Sequence, residues 1–188
     1  MILVFIIVFC ALVALGFGAA AAWSDATRLK IPNLYAACIG AAFVPAFLAI
    51  TLFGSENTTI FSSWVNHGLA AALMFGVTYI LFHFKLFGGG DSKLLSVYAL
   101  WAGLGGLMPL LFFMAVMGGV LALSTLGLKK YQPVKNPVKE SWIDKSQKGG
   151  QDVPYGVAIF VGAAFTFWQV GYLHPETLMT LATNGIGN

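Results

Sequence analysis

Apolar runs long enough to cross a bilayer fill most of this chain: Ile2 to Ala22, Leu34 to Phe53, Trp64 to Phe84, Leu94 to Leu128 and Val153 to Leu173. A helix needs ~20 apolar residues to span the hydrocarbon core, because lipid offers its backbone no partners and every polar group must be satisfied internally. With 59% hydrophobic and 9% charged residues in 188, a soluble domain could not hide this much apolar surface. The runs are continuous, whereas the strands of a transmembrane barrel alternate. The chain is therefore expected to be all-α and polytopic, a single domain over residues 1–188 built as a bundle of about six transmembrane helices.

The count of six depends on the fourth run. As one helix it would overshoot the bilayer by roughly 20 Å. Gly105, Gly106 and Pro109 lie near its middle, where a turn is cheap, so a hairpin of two shorter helices is expected. Charge points the same way. Arg28, Lys30, Lys85, Lys93, Lys129, Lys130, Lys135, Lys139, Lys145 and Lys148 are all the Lys and Arg of the chain, and basic residues mark the cytoplasmic side. With a hairpin and the N-terminus outside, all of them share one face. Glu56 and Glu176 then lie outside with the C-terminus, and Asp25 and Asp91 lie inside. The first run lacks a basic leader and is longer than a signal-peptide core, so it is read as a retained helix. The Lys-rich stretch at about 129–152, with Pro133, Pro137, Gly149 and Gly150, is expected to be a mobile cytoplasmic loop.

In so apolar a chain, ionisable groups at membrane boundaries are functional candidates by default. Asp25 ends the first helix and Asp91 begins the fourth on the same side, so the two can meet if those helices pack. Two neighbouring carboxyl groups cannot easily both ionise. One can act as general base toward water while the other, protonated, polarises a carbonyl. Each acid alone has a plainer reading, Asp91 as a helix N-cap and Asp25 as a solvated neighbour of Arg28. Glycines beside Asp91 allow close backbone approach to the acid and to a peptide. Cys10 and Cys38 form no CxxC pair and read as packing residues. His67, His83 and His174 form no ligand cluster, so neither a metal nor another cofactor is expected.

These residues carry a resemblance. Gly88-Gly89-Gly90-Asp91 matches the GxGD signature of intramembrane aspartic peptidases, and Asp25 through Ile31-Pro32-Asn33 looks like the D-x-x-x-x-x-I-P-N segment of type IV prepilin peptidases. With Val153-Pro154-Tyr155-Gly156 and the six-helix plan, the chain most resembles the short prepilin peptidases of tight-adherence (Tad/Flp) pilus systems. Presenilin-like relatives place Tyr-Asp upstream, where this chain has Ser24-Asp25.

The resemblance implies a membrane-embedded aspartic endopeptidase of the bacterial cytoplasmic membrane. It would remove the leader peptides of prepilins and pseudopilins at the cytoplasmic face, with Asp25 and Asp91 as catalytic residues. Gly88, Gly90, Lys93 and Asn33 would support them: Lys93 by tuning Asp91 or anchoring topology, Asn33 by orienting a neighbour or the substrate backbone. The N-terminal CxxC domain of larger, methylating members has no counterpart in the sequence. Its partners would be prepilins and the lipid bilayer, with no nucleic acid. Two other classes remain open on the residues alone: a small proton-coupled transporter using Asp25 and Asp91, although no internal repeat is found, and a magnesium-dependent lipid phosphotransferase.

Overall fold

The computed structural model describes residues 1–54 and 61–184; Glu56 therefore lies outside the described residues. The chain is all-helical: α1 (Ile2–Arg28), α2 (Asn33–Phe53), α3 (Trp64–His83), α4 (Gly89–Tyr131), α5 (Trp142–Gln147), α6 (Tyr155–Val170) and α7 (Pro175–Asn184). By length and composition α1 to α4 could each cross a membrane, and α6 with α7, bent by 45°, could supply a fifth span. The protein is a multi-pass membrane protein. Its outward faces carry large apolar side chains such as Phe5, Leu48, Phe112 and Leu123, the arrangement lipid requires.

The hairpin expected within the fourth run is present, with its turn slightly earlier than Gly105. Gly103 has φ 62 and ψ 176, a non-helical conformation inside α4 that glycine adopts without the penalty of a side chain. The two arms run in opposite directions. Along the first arm, residues 89–102, Asp91 lies by Asp25 while the Tyr98 hydroxyl donates to the Ala14 carbonyl at 3.0 Å, so this arm climbs antiparallel to α1. Along the second, residues 104–131, Gly106 packs by Thr166 and Val170 and Gly118 faces Tyr155, so it descends along α6. Pro109 is accommodated inside this second arm.

Breaking a helix frees backbone groups, and lipid cannot satisfy them. Here the facing helices do so. The Leu104 N–H donates to Asn66 Oδ1 at 2.9 Å, His67 Nδ1 lies 2.7 Å from the Leu100 carbonyl oxygen, and the Tyr172 hydroxyl donates to the Trp101 carbonyl at 2.6 Å. Since a carbonyl only accepts, His67 carries its proton on Nδ1. Around this turn Trp101, Phe167, Tyr172, Phe43 and Phe61 pack edge to face or tilted, with centroids 5.0 to 6.2 Å apart. This aromatic plug closes the end of the bundle remote from the two acids.

At the other end the connections are tight. Leu29 takes a left-handed conformation (φ 50) to stop α1, Ser24 Oγ donates to the Lys30 carbonyl at 2.7 Å, and Pro32 stands at the N-cap of α2. Within the Lys-rich segment the short helix α5 forms, capped by Ser141. Trp142 Nε1 ties it to Thr125 of α4 at 2.9 Å.

Candidate active site

Asp25 belongs to the last turn of α1, beyond the apolar run that defined the first span, because the helix continues to Arg28. Asp91 belongs to the first turn of α4, with Gly88 at the N-cap. α1 and α4 both pack on α6 and on α2, and this shared packing brings the end of α1 and the start of α4 together. Asp25 and Asp91 line one open groove of about 520 Å³ with residues 29–33 and 88–90. They also line a second groove of about 410 Å³, together with Lys85, Leu86, Phe87, Gln151, Asp152, Val153 and Tyr155. Leu29 and Gly88 are shared as well, so the two grooves meet over the two carboxyl groups.

The candidate residues gather at this point with one exception. Asn33, Gly88, Gly90 and Asp91 line the first groove. Lys93, one helical step on, turns its ammonium to Asn33 Oδ1 at 2.9 Å and lines neither groove. Gly88 leaves room for Asp91: a methyl group on its α-carbon would collide with Asp91 Oδ2. Asp25 is 6% exposed, and its Oδ2 accepts a hydrogen bond from the Gly156 N–H at 2.8 Å. Among the described residues Asp91 Oδ1 is buried without a partner.

Reasoning from side chains missed two features. The donor to Asp25 is a backbone amide in the first turn of α6, and the second groove is floored by residues 85–87 and 151–153. The signal for the first was the Val153-Pro154-Tyr155-Gly156 segment itself: proline before a helix start followed by a residue without a side chain at the point of contact. No signal in the sequence marked the second.

Two carboxyl groups facing the same grooves, each approached by a backbone amide, Gly156 at Asp25 and Gly88 at Asp91, can share a proton and flank a polar substrate. Among the described residues no group of three or more His, Cys, Asp or Glu could hold a metal ion. Over residues 4–123, a stretch that contains both acids and most of the groove, the chain matches the type IV leader peptidase family. The chain belongs to this family. It is an aspartic prepilin peptidase, and the family implies cleavage of prepilin leader peptides. No curated protein and no solved structure matches the chain. For this peptidase, family membership decides between the enzyme and the transporter that the residues alone left open.

Proposed function

We propose that Asp25 and Asp91 form the catalytic pair of this peptidase, acting on Flp-like prepilins and pseudopilins at the cytoplasmic membrane face. The observation that carries the reading is the convergence of the two acids from distant stretches of sequence on one groove. In this mechanism one carboxylate takes a proton from water as the water oxygen bonds to the scissile carbonyl carbon. The other carboxyl gives its proton to the carbonyl oxygen. The resulting diol collapses, the C–N bond breaks, the leaving nitrogen gains a proton and the pair returns to its starting state.

The first arm of α4 is about 20 Å long, shorter than the ~30 Å hydrocarbon core. With the turn at Gly103 near the outer boundary, Asp91 is drawn below the headgroups while remaining open to water through the grooves. The basic residues fall on the side of the grooves, with both termini outside. Two grooves meeting over the acids suit an extended chain held on both sides of the cut. Asn33 and Lys93 brace the mouth, and Gly88 keeps the approach to Asp91 clear.

Co-expression with a Flp-type prepilin tests the proposal. Leader removal, read as a mobility shift, is expected with the wild-type enzyme and is expected to persist with EDTA. Absence of processing of any Flp-type prepilin, or its loss to the chelator, would reject it.

A further inference from the structure

We infer that the Gly156 amide divides the labour of the pair, making Asp25 the ionised base that takes the proton from water and Asp91 the acid that offers its proton to the scissile carbonyl. This inference rests on the proposed catalytic pair and goes beyond it by assigning each acid its role.

The Gly156 N–H belongs to the first turn of α6, where amides lack intrahelical acceptors and are free to bind an anion. It meets Asp25 Oδ2 at 2.8 Å, a length typical of charge-assisted hydrogen bonds, which are roughly twice as strong as neutral ones. The fit is close. A Cβ at position 156 would sit 3.0 Å from Asp25 Oδ2 and 2.9 Å from Ile31 Cδ1, so glycine is what lets the amide reach the carboxylate.

Asp91 differs at one oxygen: the Gly88 backbone also approaches its carboxyl, but on one side only. Among the described residues its Oδ1 is buried with no partner, and an anion there would leave a buried acceptor unmet, a costly arrangement. A proton turns the same group into a donor that a substrate carbonyl can accept. The ends of α1 and α4 favour the reverse, since a carboxylate is disfavoured at a helix C-terminus and favoured at an N-terminus. At Asp25, however, the N-terminus of α6 opposes the C-terminus of α1 and supplies the 2.8 Å bond, whereas the Gly88 amide leaves Asp91 Oδ1 unmet. The charged groups lining the grooves are Lys30 on the first and Lys85 with Asp152 on the second. Lys93 on α4 is turned to Asn33, and neither Asp25 nor Asp91 forms a salt bridge among the described residues.

The proton count closes over a turnover. Asp25 gains the water proton while Asp91 protonates the carbonyl oxygen. Asp25 then protonates the leaving nitrogen as the C–N bond breaks, and Asp91 recovers a proton from the diol.

Two reagents read the assignment directly in the intact enzyme in membranes. An epoxide esterifies an ionised carboxylate, and a copper-activated diazoacetyl ester esterifies a protonated carboxyl. Peptide mass spectrometry is expected to find the epoxide on Asp25 and the diazo adduct on Asp91, each with loss of cleavage. Exchanged positions, or each reagent divided equally between the two acids, would overturn the inference while leaving the pair intact. Full cleavage by enzyme esterified at both acids would instead sink the pair itself. An amide-to-ester replacement at position 156 deletes the N–H and tests the claim independently of reagent access. Cleavage is expected to fall about tenfold or more, with the acidic limb of the pH profile moved upward; an unchanged rate and profile would overturn the inference.

Discussion

Lys93 Nζ donates to Asn33 Oδ1 at 2.9 Å, joining the first residue of α2, which lines the first groove, to the start of α4. The bond links two segments sixty residues apart that flank Asp25 and Asp91 in sequence. The proposed role of this bond is to hold the helix bearing Asp91 in register with the turn that follows Asp25. Lys93→Met and Asn33→Ala should each lower kcat/KM severalfold, consistent with about 1.5–3 kcal/mol for a hydrogen bond from a charged donor, less in this exposed setting. The double variant should be no worse than the poorer single one. Additive losses in that double-mutant cycle would show that the two residues act separately.

Glycine is required where the structure brings backbone against an acid. Gly156→Ala should reduce cleavage by tenfold or more, because the added carbon would push on Asp25 Oδ2 and Ile31. Gly88→Ala should do the same through Asp91. Gly16, where an added methyl would meet nothing within 4 Å, is the control: Gly16→Ala should leave leader processing near the wild-type rate in the same assay.

The turn at Gly103 makes a prediction about stability. His67 is 2% exposed, supplies the hydrogen bond to the Leu100 carbonyl at 2.7 Å, and packs among Phe43, Phe47 and Phe61. His67→Phe keeps a ring of similar shape and removes the donor, at a cost of ~1–3 kcal/mol for the buried carbonyl left unpaired. His67→Ala also opens a cavity and should cost more. The melting temperature of the purified protein in detergent should fall in that order, and equal melting of the wild type and the Phe variant would contradict the account of the turn.

How much of this was legible in the sequence depends on which forces act locally. The apolar runs foretold the helices and the doubling-back of α4, because length against bilayer thickness is a strong constraint. The exact turn was not legible. Gly105, Gly106 and Pro109 are equally permissive, and the chain turns at Gly103 because Asn66, His67 and Tyr172 stand opposite the backbone groups freed there. Helix α5 spans only six residues, too few for a periodic pattern, and is fixed by tertiary bonds such as Trp142 to Thr125. At the site, Asp25, Asp91 and their flanking motifs were visible as side chains. The amide of Gly156 was marked only indirectly, by the Pro154-Tyr155-Gly156 helix start, since every residue but proline has an amide and only the fold decides where it points.

Asp144 gives a pH-dependent prediction away from the groove. The Lys148 ammonium, at 2.8 Å, holds its carboxyl below the usual carboxylate range, helped by the Glu140 N–H at 3.1 Å. A lowered value means that the stabilisation is present above the ordinary carboxylate pKa and is lost as pH falls through the lowered one. Trypsin cleavage after Lys145 should therefore be slow and steady at neutral pH in the wild type and faster in Asp144→Asn. Amide protection in residues 141–148, taken relative to the intrinsic exchange rate at each pH, should be lost only below about pH 4. Protection lost instead between neutral and mildly acidic pH would contradict this.

The central claim is that Asp25 and Asp91 perform one hydrolysis together. The most direct test is the rate of leader removal from a co-expressed Flp-type prepilin by Asp25→Asn and Asp91→Asn, with each variant verified in the membrane fraction. The account predicts that either substitution alone abolishes processing while leaving insertion intact. Processing retained at a substantial rate by either variant would contradict it.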